Sequence, residues 1–254
     1  MDGDADIASV AALIGDPGRA RVLRALGDGR ALPATVLAFE AGVAASTASA
    51  HLARLVAAGL LRVEARGRHR YYRLAGADVA SALEALARIA PPEPVRSLRA
   101  GTRAAAVRYA RSCYDHLAGR LGVALMQALL RADALAGDED GYELTGRGQR
   151  LLDDLGVRLP AGRRPLVRHC VDWSEQRPHL AGAVGAGVLC RLLELGWLER
   201  APSSRALLVT DIGARQLCGR LGVEVQPGQR GLGVSATVRA ETTNAPAIRA
   251  SAGA

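Results

Sequence analysis

Residues 45–74 constrain the fold of this chain more than any other segment. Leu52, Leu55, Val56 and Leu60 recur at helical spacing, so one face of a helix is predicted to be buried here. The opposite face carries small or hydrogen-bonding side chains, which can lie close to base edges in the major groove of DNA. Gly59 is predicted to end the helix, because glycine readily adopts the left-handed conformation found just past a helix C-terminus.

An arginine-rich hairpin is predicted directly after this helix. Residues 62–73 contain five arginines against a single glutamate, Glu64, and Arg66-Gly67-Arg68 is predicted to form the turn. Guanidinium groups neutralise phosphates, so we expect the hairpin to contact the DNA backbone or the minor groove. The alternative is a solvated hairpin without a partner.

These two elements supply the predicted DNA-binding residues. On the helix, the side chains expected to contact bases or fix the register are Ser46, Thr47, Ser49, His51 and Arg54. On the hairpin, the expected contacts come from Arg66, Arg68, His69, Arg70 and Tyr72. Two further helices are predicted upstream, over Pro17–Leu26 and Leu32–Gly42, which gives the element order of a winged helix-turn-helix.

Residues 6–90 resemble the ArsR/SmtB family of bacterial winged-helix repressors. The resemblance rests on PGRARVLRAL and on VLAFEAGVAASTASAHLARLVAAGLLRVEARGRHRYYRL. It implies a homodimer on a near-palindromic operator that is released when a small effector binds. The family's common metal ligands are missing, because VLAFEAGV has no cysteine and DVASALEALARIA has no histidine. An effector site is therefore expected elsewhere in the chain.

Composition adds to this prediction. The 254 residues allow two domains, and the net charge of +8 favours a polyanionic partner such as double-stranded DNA. No apolar run reaches the length of a membrane span, and the start, MDGDADIASV, lacks the features of a signal peptide. We therefore expect a cytoplasmic protein without a membrane partner.

The predicted fold class is mainly α with short β-hairpins (α+β). We expect a winged helix-turn-helix over residues 1–90, a linker and connector helix over 91–109, a duplicated effector or structural domain over 110–225, and a disordered tail over 226–254. The duplication is inferred from His-Leu-Ala-Gly at 116–119 and 179–182, from Thr-x-x-Gly at 145–148 and 210–213, and from the Leu-Gly-Val that closes each copy, at 155–157 and 221–223. Each copy is predicted to be helix, hairpin, helix, with the two copies packed around a pseudo-two-fold axis.

The predicted effector site lies where the two copies begin. Each copy opens with Cys-x-Asp and continues to a histidine, so a convergence of the openings would gather Cys113, Asp115, His116, Cys170, Asp172 and His179. Two thiols and two imidazoles suit a Zn²⁺-type ion, and the cysteines alone suit a thiophilic metalloid. An organic-ligand pocket is a second interpretation, and core cysteines with helix-capping aspartates are a third. Cys190 and Cys218 are predicted to pack on helical apolar stripes.

Taken together, these features predict a sequence-specific transcriptional regulator, a homodimeric repressor that responds to a metal or small-molecule effector. The helices near Ile7–Ile14 and Val79–Ile89 are expected to pair the subunits, because each is apolar on one face. No catalytic motif was found, so an enzyme is not expected. Two other functions stay open: a thiol-dependent enzyme that uses Cys113 or Cys170, and an adaptor whose winged helix binds proteins.

Overall fold

The computed structural model describes residues 3–95, 97–138, 140–202 and 204–225. The predicted tail over 226–254 lies outside the described residues. About half of the described residues lie in helices, and short antiparallel strands lie between the helices.

The N-terminal unit is a winged helix-turn-helix. Its elements in chain order are α1 (Ile7–Ile14), α2 (Pro17–Ala25), β1 (Leu32–Pro33), α3 (Ala34–Ala41), α4 (Ala45–Ala57), β2 (Leu61–Arg66), β3 (His69–Leu74) and α5 (Ala77–Ile89). The strands form one antiparallel sheet in the order β1-β3-β2. This unit confirms the predicted helix, helix, helix, hairpin arrangement of the first part of the chain.

Local sequence explains the boundaries of these helices. Asp16 caps α2 by accepting a hydrogen bond from the Arg19 amide at 2.9 Å, and Pro17 occupies the first helical turn. Gly42 ends α3 in the left-handed conformation. Leucines and valines from these helices and from β2 and β3 meet in one apolar core, which fixes α4 and the hairpin relative to each other.

The C-terminal unit contains two segments with the same element order. The first is α6 (Leu98–Tyr109), β4 (Arg111–Cys113), β5 (His116–Ala118), α7 (Arg120–Arg131), β6 (Leu135–Asp138), β7 (Gly141–Leu144) and α8 (Gly146–Leu155), of which α6 leads in from the N-terminal unit. The second is β8 (Arg168–Val171), β9 (Pro178–Ala181), α9 (Gly182–Glu194), β10 (Leu198–Arg200), β11 (Leu207–Val209) and α10 (Asp211–Leu221). Each segment therefore begins with a hairpin that precedes its helix, hairpin and helix.

The opening hairpins differ from the predicted helix-hairpin-helix order. If Asp115 and Asp172 were helix caps, as the third interpretation holds, helices would begin at the His-Leu-Ala-Gly segments. The structure places His, Leu and Ala in strands β5 and β9 instead. The helices begin only after the chain turns at Gly119 and Gly182, whose φ angles are +82° and +81°. A Cβ at either glycine would lie within 3.0 Å of backbone atoms from a neighbouring segment. Both this clash and the positive φ angle exclude a larger residue at these positions.

The repeated Thr-x-x-Gly sequences have a common structural role. Thr145 and Thr210 cap α8 and α10 by accepting hydrogen bonds from the amides of Gly148 and Gly213, at 3.0 and 2.9 Å. The two glycines leave no room for a Cβ, because each helix start packs onto backbone of the preceding hairpin region. In both copies, the threonine therefore caps the helix and the glycine allows its first turn to pack closely on the backbone.

The packing of the two segments is reciprocal. α7 of the first contacts β9 of the second, α9 of the second contacts β5 of the first, and β5 contacts β9. A single apolar core runs through both segments and includes Leu117, Leu180 and Trp197. The predicted packing of Cys190 and Cys218 is wrong, because both side chains are exposed.

Among the described residues, no single helix has both the length and the apolar character needed to cross a membrane. α3 and α4 taken together meet those criteria by length and composition, but they are bent by 104° at their junction.

Candidate DNA-binding surface and Cys/His site

Helix α4 presents most of the predicted DNA-contacting residues to solvent. It buries Ala48, Leu52 and Leu55 against the N-terminal core. That anchoring leaves the opposite face exposed, and the side chains there are Ser46, Thr47, Ser49 and Arg54. The Ser49 hydroxyl donates to the Ala45 carbonyl at 2.9 Å. The Ser49 oxygen can still accept a hydrogen bond from a base.

The structure gives His51 and Tyr72 packing contacts within the protein. His51 is half-buried, with its Nε2 atom 3.6 Å from an Asp16 carboxylate oxygen at the start of α2. Tyr72 lies opposite Leu32 on one side and Val63 on the other, and it packs on the N-terminal core. Contact of these two side chains with DNA stays a prediction.

The hairpin β2–β3 carries its free cations at the tip. Gly67 makes the turn with φ of +60°. Arg66 is held by Glu64 at 3.0 Å and lies over the Tyr71 ring, and Arg73 binds Glu64 at 2.8 Å. In the described part of the chain, the exposed side chains of Arg68, His69 and Arg70 have no hydrogen-bond or ion-pair partner. This cationic tip can bind a phosphate backbone without first breaking an internal contact.

The second site is a cluster of four side chains, Cys113, His116, Cys170 and His179, called the Cys/His site below. Each contributes one possible ligand atom, and these atoms all lie within 4.8 Å of one another. The two imidazole rings are stacked with their centroids 5.1 Å apart. The structure thus brings together four of the six residues that the sequence singled out for an effector.

Strand register explains why two different spacings give one site. Cys113 pairs with His116 across β4–β5, and Cys170 pairs with His179 across β8–β9. The six additional residues of the second copy lengthen the turn between strands and do not shift the pairing. The Cys-x2-His and Cys-x8-His spacings are therefore equivalent in the folded chain.

The two aspartates stand behind the histidines. Asp115 lies 3.4 Å from Nδ1 of His116 and binds Arg164 at 2.6 Å. Asp172 has an oxygen 4.0 Å from Nδ1 of His179. The idea that each aspartate caps the helix of its own copy is wrong, since Asp172 accepts from the Gly119 amide of the other copy at 2.6 Å.

Electrostatics at the Cys/His site favour one thiolate and a charged imidazole. The hydrogen bond from Cys113, together with the adjacent His116 and His179, holds the pKa of the Cys170 thiol far below its usual range. The contact with Cys170 and burial raise the pKa of Cys113. Burial opposes ionisation of His116, but the hydrogen bond to Asp115 and the nearby Cys170 sulfur prevail and raise its pKa. Cys170 is thus the more nucleophilic sulfur and the better ligand at neutral pH.

A buried chain of charges joins this site to α5. Arg111 is fully buried and lies 2.9 Å from Asp172 and 3.5 Å from Glu84 of α5. Arg205 binds the other oxygen of Glu84 at 2.7 Å. Burial raises the pKa of Asp172, but the Arg111 charge and the bonds from Ser174 and Gly119 outweigh it and lower that pKa to about 2.

Sequence reasoning missed Glu84, Arg111 and Arg205. Each is a single charged residue in an ordinary amphipathic context, and only the packing of α5 on the C-terminal unit brings them together. The signal that identifies them is burial, which only the structure shows. Charged side chains are seldom shielded from water without a partner.

A cavity of about 260 Å³ lies between α5 and the Cys/His site. Ala80, Glu84 and Arg88 of α5 form one wall, and Cys170 and His116 are on the opposite wall. Cys113 also borders the cavity but is only 2% exposed, whereas Cys170 is half-buried. Small molecules in the cavity can therefore reach the Cys170 sulfur more easily than the Cys113 sulfur.

Comparisons with known proteins bear on the DNA-binding surface. A family model described as a helix-turn-helix domain matches residues 14–64. An uncharacterized HTH-type transcriptional regulator of Bacillus subtilis (strain 168), YdfF, is 40% identical over 223 residues, which cover 87% of this chain and 99% of the relative.

Two solved structures show shorter similarities. The homodimeric winged helix-turn-helix DNA-binding domain of Mb0332 from Mycobacterium bovis, a possible ArsR-family regulator, is 30% identical and covers 34% of this chain and 86% of that one, with a TM-score of 0.30. The cadmium sensor CMTR from Mycobacterium tuberculosis is 33% identical and covers 37% of this chain and 100% of that one, with a TM-score of 0.29.

The fold and the exposed cationic hairpin define a winged helix-turn-helix DNA-binding protein. Because a relative matches it at 40% identity over nearly the full length of both chains, the chain belongs to the HTH-type transcriptional regulators. The predicted function as a DNA-binding transcriptional regulator is thereby confirmed. The comparisons favour it over the thiol-enzyme and adaptor alternatives.

Proposed function

We propose that this regulator is a homodimer whose affinity for its DNA operator changes when the Cys/His site binds a thiophilic divalent metal ion such as Zn²⁺. The observation that carries the proposal is the convergence of two sulfurs and two imidazole nitrogens within 4.8 Å. The ligand atoms of a tetrahedral Zn²⁺ site lie roughly 3.5 Å apart, since the bonds to the metal are about 2.0–2.3 Å long. Small side-chain movements would suffice to reach that geometry.

The chemistry of the donor set supports a metal. The Nε2 atoms of His116 and His179 are buried and have no hydrogen-bond partner among the described residues. A buried polar atom without a partner costs free energy, and a metal ion would satisfy both nitrogens. Carboxylates behind metal-bound imidazoles orient the rings and make them better ligands, and Asp115 and Asp172 are placed for that role.

Two cysteines and two histidines also favour particular metals. Thiolate and imidazole ligands suit Zn²⁺ and similar soft or borderline ions, whereas Mg²⁺ and Ca²⁺ prefer oxygen ligands. The ligand set is complete without solvent, which is typical of sites that bind and hold a metal and less typical of catalytic ones.

The C-terminal unit is proposed to be a duplicated effector domain over residues 110–225. Repeated element order, reciprocal packing and the equivalent placement of Thr145 and Thr210 support this duplication. Each copy would supply one thiol and one imidazole, so the effector would bind on the axis that relates the copies.

Exposed apolar side chains on α1 and α5 support the dimer. No residue of α1 is buried in the single chain, and Ile7 is 74% exposed. Ile89 on α5 is 80% exposed, and Leu86 beside it is 43% exposed. Pairing of these faces with a second copy would remove apolar surface from water. It would also place two copies of α4 on one operator.

DNA contact is assigned to Ser46, Thr47, Ser49 and Arg54 of α4 and to Arg66, Arg68, His69 and Arg70 of the hairpin. His51 and Tyr72 would act by positioning these elements. The signal between the two sites would pass through Asp172, Arg111 and Glu84 to α5, which follows directly on the DNA-binding hairpin.

The test combines metal and DNA titrations on the full chain. A duplex is first selected from a random pool by the purified protein. Zn²⁺ binding is followed by competition with a chromophoric chelator, and DNA affinity is followed by fluorescence anisotropy with and without Zn²⁺. We expect one Zn²⁺ per chain and a change in DNA affinity of about 5- to 150-fold. Zn²⁺ binding that is unchanged in Cys170→Ser with His179→Ala would refute the site.

A further inference from the structure

We propose that Cys113 and Cys170 are a site of reversible oxidation, in which a hydroperoxide reacts first at Cys170 and Cys113 then closes a disulfide. This modification would itself not require a metal. The consequence for metal binding, argued below, rests on the proposed function.

The two sulfurs are close enough to be joined. They belong to the group of ligand atoms that all lie within 4.8 Å of one another. A disulfide requires a sulfur–sulfur distance of about 2.05 Å, so the side chains must close a gap of at most about 2.8 Å. The cysteines lie on separate hairpins, β4–β5 and β8–β9, so neither is locked by a shared strand pairing.

Access distinguishes the roles of the two thiols. Cys170 is half-buried and lies on the wall of the 260 Å³ cavity between α5 and the C-terminal unit. Cys113 also borders this cavity but is only 2% exposed. A hydroperoxide entering the cavity thus meets Cys170 first, and Cys113 is the neighbouring thiol available for the second step.

The chemistry balances with a hydroperoxide as the sole oxidant. In the first step the Cys170 sulfur attacks the peroxide oxygen, the oxygen–oxygen bond breaks, and Cys170 becomes a sulfenic acid. With hydrogen peroxide, the leaving oxygen takes the thiol proton and departs as water. In the second step the Cys113 sulfur displaces the hydroxyl group from Cys170, and the hydroxyl leaves as a second water with the Cys113 proton. The two thiols lose two electrons, and the peroxide gains them.

Oxidation would remove two of the four proposed metal ligands. Thiolates bind Zn²⁺, whereas disulfide sulfur does not serve as a structural zinc ligand. The oxidised chain should therefore lose its Zn²⁺, and Zn²⁺ should protect the thiols by occupying both sulfurs. Metal and peroxide would thus compete for the same two residues.

The experiment uses the full chain after dialysis against a chelator under reducing conditions, with the reductant then removed. The protein is treated with hydrogen peroxide and examined by intact mass spectrometry and peptide mapping. We expect the loss of two hydrogen atoms, a cross-linked peptide pair containing Cys113 and Cys170, and recovery on addition of dithiothreitol. The exposed Cys190 and Cys218 should stay open to alkylation.

Two variants act as controls. The double variant Cys190→Ser with Cys218→Ser keeps Cys113 and Cys170 and should still cross-link. The variant Cys113→Ser removes the second thiol and should leave Cys170 as a sulfenic acid that dimedone traps. A cross-link lost from the double variant, or no cross-link between Cys113 and Cys170 in the unmutated chain, would overturn the proposal.

A separate Zn²⁺ titration of the reduced protein distinguishes this proposal from the preceding one. A chain that cross-links but binds no Zn²⁺ supports the oxidation site and refutes the metal site. A chain that binds Zn²⁺ but does not cross-link refutes the oxidation site alone.

Discussion

The Arg111 guanidinium lies 2.9 Å from the Asp172 carboxylate, and both side chains are fully shielded from solvent. Asp172 faces His179 of the Cys/His site, and Arg111 also faces Glu84 of α5. A change in the charge or position of His179 can therefore affect α5 through two successive ionic contacts, from Asp172 to Arg111 and from Arg111 to Glu84. Buried charges respond strongly to such changes because little water screens them.

We expect Glu84→Gln to separate metal binding from DNA binding. The variant keeps all four proposed metal ligands, so its Zn²⁺ affinity should stay close to that of the unmutated chain. The effect of Zn²⁺ on DNA affinity should fall from the roughly 5- to 150-fold expected for an allosteric coupling towards no effect. Anisotropy titrations with and without Zn²⁺ measure this ratio directly.

The matched control for this prediction is Glu40→Gln. Glu40 also forms an inter-helix ion pair, with Arg103 at 2.8 Å, and it is not among the described residues that line the Cys/His site or its cavity. Its coupling should be unchanged. Equal coupling in Glu84→Gln and the unmutated chain would show that the signal takes another route.

The cationic tip of the hairpin predicts a salt effect. Replacing Arg68 and Arg70 with alanine removes two exposed guanidinium groups that are not engaged elsewhere among the described residues. The slope of log affinity against log salt concentration should become shallower by about 2, because each phosphate contact contributes about 0.9. Alanine at Arg215 and Arg220 of α10, which are also exposed, should leave the slope unchanged. If the hairpin variant has the same slope as the unmutated chain, the tip of the hairpin does not contact DNA.

The close packing of α9 on β5 predicts a costly glycine substitution. A Cβ at Gly185 would lie 2.6 Å from the Leu180 carbonyl oxygen and 3.3 Å from the His116 Cβ. Gly185→Ala should lower the free energy of unfolding by about 1–3 kcal/mol and weaken Zn²⁺ binding, because the clash displaces His116. Gly219→Ala on α10 has open space around its Cβ and should be neutral or slightly stabilising. Urea denaturation compares the two variants.

Acid should remove part of the contribution of Asp172. Its pKa is about 2 in the folded chain against an ordinary value of 3.8. A carboxyl group with a lowered pKa stabilises the fold above its ordinary pKa, and that stabilisation is lost as pH falls from 3.8 towards 2. Asp172→Asn should therefore be destabilising at pH 6, and the difference from the unmutated chain should shrink by roughly 2 kcal/mol on acidification. A difference that stays constant in urea melts across this range would contradict the assigned pKa.

The exposed face of α5 predicts the oligomeric state. Ile89→Arg places a charge in the proposed dimer interface and should shift the protein towards a monomer in light scattering after gel filtration. Ile212 on α10 is 53% exposed but lies outside that face, so Ile212→Arg should leave the dimer intact. A dimer that tolerates Ile89→Arg would place the interface elsewhere.

The N-terminal unit was largely predictable because its signals are local. Apolar spacing located α4, Gly42 and Gly59 marked helix ends, and the arginine cluster located the hairpin. The opening hairpins β4–β5 and β8–β9 were not predicted. Their strands are three or four residues long, too short to show an alternating pattern, and their pairing depends on contacts between the two copies.

The Cys/His site was predictable only through the repeat. Cys113 and Cys170 are far apart in sequence, and it was their matching positions in two copies that suggested convergence. Glu84 and Arg205 carried no comparable signal, because their contact is set by how α5 packs on a hairpin more than a hundred residues later. Charged pairs formed by such tertiary packing have no sequence period.

The Cys/His site has a consequence for genetics. The first opening hairpin contributes Cys113 and His116, and the second contributes Cys170 and His179. A chain that stops after α8 therefore keeps its DNA-binding unit and only half of the proposed metal ligands. We expect a premature stop codon there to yield a protein whose DNA binding no longer answers to metal. Such an allele would behave as dominant over the intact gene if the shortened chain still folds and pairs with full-length subunits.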